Sequence, residues 1–129
     1  MELNKSDLID PIELSQKLIR CPSVTPIEGG ALDELQTVLE RIGFKCTRLV
    51  FSESGTPDVD NLYARIGDDG PNFCFAGHSD VVPPGLSSEW SGDPFSGMIA
   101  DGKLFGRGSS DMKSAIAAFV AAAERFIKE

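Results

Sequence analysis

The chain has 129 residues with twelve basic and twenty acidic side chains, a formal net charge of −8 at pH 7. That length suits one domain with its own core or part of a larger one. The negative balance repels phosphate backbones and anionic membrane surfaces, so neither nucleic acid nor a membrane is an expected partner. Three cysteines without Cys-x-x-Cys spacing, a Met1–Asp7 start that lacks the basic and apolar regions of a leader, and no apolar run of spanning length lead to the expectation of a soluble, cytoplasmic protein.

In chain order, Asp10-Pro11 reads as an N-cap and first helical position, with Ile12, Leu18 and Ile19 able to share one helix face before Cys21-Pro22 ends it. Ser23-Val24-Thr25-Pro26 is expected to be extended, since a residue before proline is driven out of the helical region. Its plain role is a tether. From Ala31, the residues Leu32, Leu35, Val38, Leu39 and Ile42 recur at helical spacing, and Gly43 supplies a left-handed stop. Phe44 to Phe51 is rich in aromatic and β-branched residues and predicts a strand, with Leu62, Ala64 and Ile66 alternating as a second.

Asp68-Asp69-Gly70-Pro71 marks a turn, which predicts that the second strand and Phe73-Cys74-Phe75-Ala76 are antiparallel neighbours. The Phe73 run is apolar on both faces, as a strand inside a layered sheet would be. It delivers His78, the single histidine of the chain, into a loop where ligand sites of such folds lie. Val81 to Phe95 is an ordered loop in this reading, pinned by Trp90 and Phe95. Asp101-Gly102 between Met98-Ile99 and Leu104-Phe105 is a two-residue hairpin signal. From Met112, the residues Ala115, Ile116, Phe119, Val120, Ala123 and Ile127 form an apolar helical stripe, with Lys113, Glu124 and Lys128 facing water.

Three residues carry the chemistry. His78 at the end of an apolar run and Asp111 at the mouth of a helix are candidate metal ligands, because zinc accepts imidazole nitrogen and carboxylate oxygen together. Asp80, two residues from His78 in an extended segment, can reach the second ring nitrogen. Each has a plainer reading: a hydrogen-bonded structural histidine, a turn cap for Asp80, and an N-cap for Asp111 behind Ser109-Ser110. Gly106-x-Gly108 is a poor phosphate cradle, since Asp111 stands where its third glycine belongs and would repel pyrophosphate. Serines 79, 109 and 110 lack a nucleophile elbow. Arg107 can bind a substrate carboxylate through its planar fork, or pair with a nearby acid.

Taken together, Phe75 to Pro83, Trp90, Asp93-Pro94-Phe95 and Asp101 to Lys113 resemble the zinc aminoacylase and carboxypeptidase family. Leu18-Ile19, Ser23 to Pro26 and Asn61 to Ala64 sharpen the likeness to the branch that releases succinate from N-succinyl-LL-2,6-diaminopimelate in diaminopimelate and lysine biosynthesis. The resemblance implies an α/β three-layer sandwich with a central mixed sheet flanked by helices, incomplete in this chain. It implies two zinc ions, with cobalt able to substitute, His78 ligating one, Asp111 bridging both, and Asp80 in the catalytic centre orienting His78. A small-molecule N-acyl amino acid is the implied substrate, and the full-length enzyme is expected to be a homodimer. An acetylornithine deacetylase or another aminoacylase, and a non-catalytic remnant that binds a partner, are the alternatives.

The same resemblance covers only about the first third of such an enzyme. The expectation is that residues 1–129 are the N-terminal portion of its catalytic domain. The family's Glu-Glu pair with the general base, a later metal carboxylate, a C-terminal histidine ligand and the lid and dimerisation domain have no counterpart here, and the substrate-binding residues are unknown. Glu124 and Glu129 are not adjacent and do not replace the pair. Ser79 stands where threonine is usual and Ser109-Ser110 where alanines are common. The chain alone is expected to bind zinc weakly and to be nearly inactive.

Overall fold

The computed structural model describes residues 8–129; Met1–Asp7, read above for leader features, lies outside them. The chain runs α1 (Pro11–Arg20), α2 (Ala31–Arg41), β1 (Lys45–Phe51), β2 (Val59–Arg65), a short 3-10 turn (Ser87–Glu89), β3 (Ile99–Ala100), β4 (Lys103–Leu104) and α3 (Lys113–Lys128). The architecture is mixed α/β, as an incomplete α/β domain would be. No helix among the described residues is long and apolar enough to cross a membrane, and the three cysteines are free thiols.

Local chemistry accounts for most boundaries. Asp10 caps α1 by accepting the Ile12 N–H at 2.8 Å, with Pro11 in the first turn. Beyond α2, Gly43 takes φ +98°, a conformation that only glycine adopts freely. Strands β1 and β2 pair antiparallel from Lys45↔Arg65 to Phe51↔Val59. Their inner face, with Cys46, Leu62 and Ala64, packs against the core built on α2. Arg48 on that face binds Asp60 and, at 2.6 Å, Asp33 of α2, tying sheet to helix. The outer face leaves Leu49, Phe51, Val59 and Tyr63 exposed. Asp101 (φ +50°) and Gly102 (φ +70°) make the tight turn of the β3–β4 hairpin as its sequence requires.

Three expectations need correction. Phe73 to Ala76 is not a strand: it has no ladder partner, and Phe73 is 84 % exposed. Strand propensity expresses fit to a pleated, half-buried surface, and this segment forms no ladder with the second edge of β2, whose sheet has only β1 and β2. The segment lies instead on α3, where the Phe75 ring stacks on Phe119 with centroids 4.4 Å apart. On α1 the buried face is Leu14, Ser15, Leu18 and Ile19, and Ile12, about a quarter-turn away, is exposed.

The third correction concerns α3, whose buried face is Lys113, Ile116, Ala117, Val120, Ala121 and Glu124. The periodic stripe is rotated because Ala117 and Ala121 allow close packing with α1, and because both charges on this face have partners. Lys113 Nζ donates to the Leu18 and Cys21 carbonyls, each at 2.7 Å. Glu124 accepts the Ile9 N–H at 2.5 Å and the Lys128 ammonium at 2.8 Å. Phe119 is left half-buried on the flank and Phe126 exposed.

Burial pushes the Glu124 carboxyl up, but the Ile9 N–H and Lys128 together hold it below its ordinary value. A lowered folded-state pKa adds stability that is present above the unfolded value and lost as pH falls through the folded one. Glu124→Gln is expected to cost about 1–2 kcal/mol at neutral pH. In urea unfolding the gap to the parent chain narrows as pH falls below the usual carboxylate range; a gap unchanged across that range contradicts the assignment.

Candidate metal centre

The segment that sequence pattern reduces to a tether is a shelf for the site loop. Ser23 is fully buried and its hydroxyl donates to the Ser79 carbonyl at 2.6 Å. Val24 and Val81 form a parallel bridge, with Val81 N–H on the Ser23 carbonyl at 2.8 Å and Thr25 N–H on the Val81 carbonyl at 3.1 Å. Thr25 also donates its hydroxyl to the Asp80 carboxylate. Residues 79–81 are therefore fixed to the chain that leaves α1. The role of Thr25 went unread in the sequence, where its one signal is a hydroxyl inside an otherwise plain extended segment.

The other side of the site comes from the approach to α3. Gly108 takes φ +89°, and a Cβ there would come within 2.9 Å of Val81 Cγ1 and 3.0 Å of Lys113 Cδ. The close approach of this turn to Val81 and Lys113 requires glycine. Lys113, fully buried, fixes the first residue of the helix to the end of α1. Burial pushes its ammonium down to about 8.

His78 and Asp111 meet across this frame, with His78 Nε2 2.9 Å from Asp111 Oδ1. Nδ1 lies 3.0 Å from the backbone carbonyl of Asp80 and 3.4 Å from its Oδ1. Asp80 thus faces the second ring nitrogen, with its carbonyl as the nearer partner. The N-cap reading of Asp111 does not hold. Met112 occupies the cap position without any side-chain cap bond, and the Asp111 side chain is 85 % exposed. Met112 contributes instead through sulfur, 3.4 Å from the His78 N–H.

Both ring nitrogens of His78 face acceptors. The Asp80 carbonyl, and then Asp111, hold the imidazole above its ordinary pKa against the opposing effect of partial burial. A ring between a carbonyl and a carboxylate calls for positive charge, supplied by a second proton or by a cation between Nε2 and Asp111. The donor set therefore fits a metal, but only in part. Among the described residues no three His, Cys, Asp or Glu side chains gather closely enough to hold one.

His78, Asp80 and Asp111 line one cleft of about 400 Å³ together with Thr25, Trp90 and Arg107. The Trp90 indole donates to the Pro84 carbonyl at 2.9 Å, so this tryptophan does pin the loop between residues 81 and 95.

Residues 74–129 match the family model described as peptidase family M20/M25/M40. The chain is 62 % identical over 119 residues to a succinyl-diaminopimelate desuccinylase of Rhodospirillum centenum, covering 92 % of this chain and 31 % of the relative. A second desuccinylase, from Parvibaculum lavamentivorans, is 62 % identical over 120 residues, covering 93 % and 30 %. The chain is a homologue of these desuccinylases. It spans about a third of their length. Human carnosine dipeptidase 1 has the same fold over 92 % of the chain and 28 % of its own, with a TM-score of 0.78 at 24 % identity.

The geometry fixes what each carboxylate does to the imidazole. Asp111→Asn is expected to lower the His78 pKa, since a neutral amide no longer stabilises the second proton. Asp80→Asn leaves most of the elevation, because the Asp80 carbonyl is the larger cause. The ring protons of this single histidine report both by NMR titration; a larger fall for Asp80→Asn contradicts the geometry.

Proposed function

We propose that residues 1–129 form the N-terminal portion of the catalytic domain of a zinc-dependent amidohydrolase, which releases succinate from N-succinyl-LL-2,6-diaminopimelate. The observation that carries this reading is the convergence of His78 Nε2 and Asp111 Oδ1 at 2.9 Å on a cleft wall. The 62 % identity to proteins named desuccinylases supports the substrate.

Within that reading, each residue has a defined task. His78 offers the Nε2 lone pair to one ion, and the Asp80 carbonyl keeps the ring proton at Nδ1 so that this lone pair stays available. Asp111 offers one oxygen beside His78 and retains a second oxygen for a bridging role. The Asp80 carboxylate, held by the Thr25 hydroxyl, adds negative charge beside Nδ1 and makes the imidazole a better donor. When bound, two zinc ions, or cobalt in their place, supply Lewis-acid polarisation of the amide carbonyl and a water of lowered pKa. The remaining ligands and the general base come from outside this chain. The full-length enzyme is in this reading a cytoplasmic homodimer acting on a small-molecule N-acyl amino acid.

The test uses the full-length enzyme that carries these residues, stripped of metal and restored with zinc, given N-succinyl-diaminopimelate and N-acetylornithine side by side. Zinc-dependent succinate release is expected, abolished in His78→Ala and reduced about 10–100-fold in Asp80→Asn. Preference for acetylornithine would keep the chemistry and replace the substrate. Absence of zinc-dependent hydrolysis of either, or full turnover by the 129-residue chain alone, contradicts the proposal.

A further inference from the structure

Arg107 sits in the cleft with no ion pair among the described residues. Its Nε is buried and has no hydrogen-bond partner. In a chain with twenty acidic side chains this is unusual, and Arg48 shows the contrast, engaging Asp33, Asp60 and Glu28 at once. The pairing acid that sequence allows for Arg107 is not there.

The position is nevertheless well fixed. Arg107 N–H donates to the Pro94 carbonyl at 2.7 Å. On one side, a Cβ on Gly106 would come within 2.5 Å of Ile19 Cγ2; on the other, Gly108 has no room beside Val81. The guanidinium carbon lies 5.3 Å from the centre of the Trp90 ring, and that ring is itself anchored through its indole N–H on Pro84. A guanidinium in cation–π contact with a fixed indole has less freedom before any ligand arrives, which reduces the entropy lost on binding.

We propose that Arg107, seated on Trp90, is a carboxylate-binding subsite of this cleft. The planar fork of donors matches a carboxylate, which it takes through two parallel hydrogen bonds. A more highly charged phosphate is disfavoured, because Asp80 and Asp111 line the same cleft. Resting on the desuccinylase reading, this subsite holds a carboxylate of the N-acyl amino acid while His78 and Asp111 face the reacting amide. Arg107 then selects substrates by charge rather than taking part in bond cleavage.

Trp90 is the single tryptophan of the chain, so its fluorescence reports on this place alone. The 129-residue chain is titrated at constant ionic strength with succinate, with N-acetylglycine and with neutral succinamide. A saturable change in Trp90 emission is expected with at least one carboxylate and none with succinamide. The tighter of the two acids identifies which end of the substrate is held. Arg107→Met is expected to weaken that binding about tenfold or more, and Arg107→Lys to fall between, keeping charge without the fork. Circular dichroism checks that the variants fold, and the comparison with succinamide decides on the parent chain alone if they do not. No saturable change with either acid, an equal response to succinamide, or equal binding by a folded Arg107→Met overturns the proposal. The titration reads binding without turnover, so failure of the desuccinylase reading leaves its outcome distinct.

Discussion

Charge at the two ends of α1 sets the positions on which the rest of the structure depends. The buried Lys113 ammonium closes the carbonyls of Leu18 and Cys21, and Glu124 receives the Ile9 N–H just before the helix begins. Both charges come from one face of α3, which therefore runs antiparallel to α1. Each also has the sign that a helix dipole favours at that end, positive at the carboxyl terminus and negative at the amino terminus. Both charges are hydrogen-bonded on burial, Lys113 to two backbone carbonyls and Glu124 to an N–H and the Lys128 ammonium, which offsets part of the cost of taking them out of water. Between them the aliphatic contacts of Leu14, Leu18, Ala117, Val120 and Ala121 fill the interface.

The site inherits its geometry from that arrangement. The chain leaving α1 becomes the shelf of Ser23 and Thr25 that carries residues 79–81, while the turn entering α3 carries Asp111. His78 is reached from both sides: its Nδ1 partner comes through the shelf and its Nε2 partner through the helix start. The Lys113 anchor thus links two segments 92 and 95 residues apart and brings imidazole and carboxylate to 2.9 Å. The result is a cleft in an acidic chain whose partly apolar wall carries His78, Asp80 and Asp111, together with a guanidinium, that of Arg107, which has no ion pair among the described residues.

Much of this frame was legible where a residue answers to its own backbone. Asp10-Pro11, Gly43 and Asp101-Gly102 announce a helix start, a helix stop and a tight turn through capping and φ preferences that do not depend on the rest of the fold. The pairing of His78 with an aspartate two residues on was likewise a local property of extended chain. What stayed hidden depends on partners distant in sequence. Lys113 and Glu124 read as solvent-facing because periodicity scores a charge as polar and cannot see a carbonyl or N–H waiting across the interface. Phe73 to Ala76 read as a strand because composition does not reveal whether a ladder partner is present. For Asp111 the sequence left both a metal-ligand and a cap reading open, because its neighbours are serines, and the fold removes the cap by putting Met112 in that position and the Asp111 carboxylate beside His78.

The central proposal is that His78 and Asp111, brought to 2.9 Å in this chain, are two ligands of a metal centre that needs further ligands to be complete. The direct measurement is a long-range nitrogen–proton NMR spectrum of the one histidine in the 15N-labelled 129-residue chain during titration with zinc. Metal coordination is expected at Nε2, with Nδ1 remaining protonated against the Asp80 carbonyl, and Asp111→Asn is expected to weaken the effect. A His78 spectrum unchanged at millimolar zinc, or one in which Nδ1 loses its proton to the metal, contradicts the account.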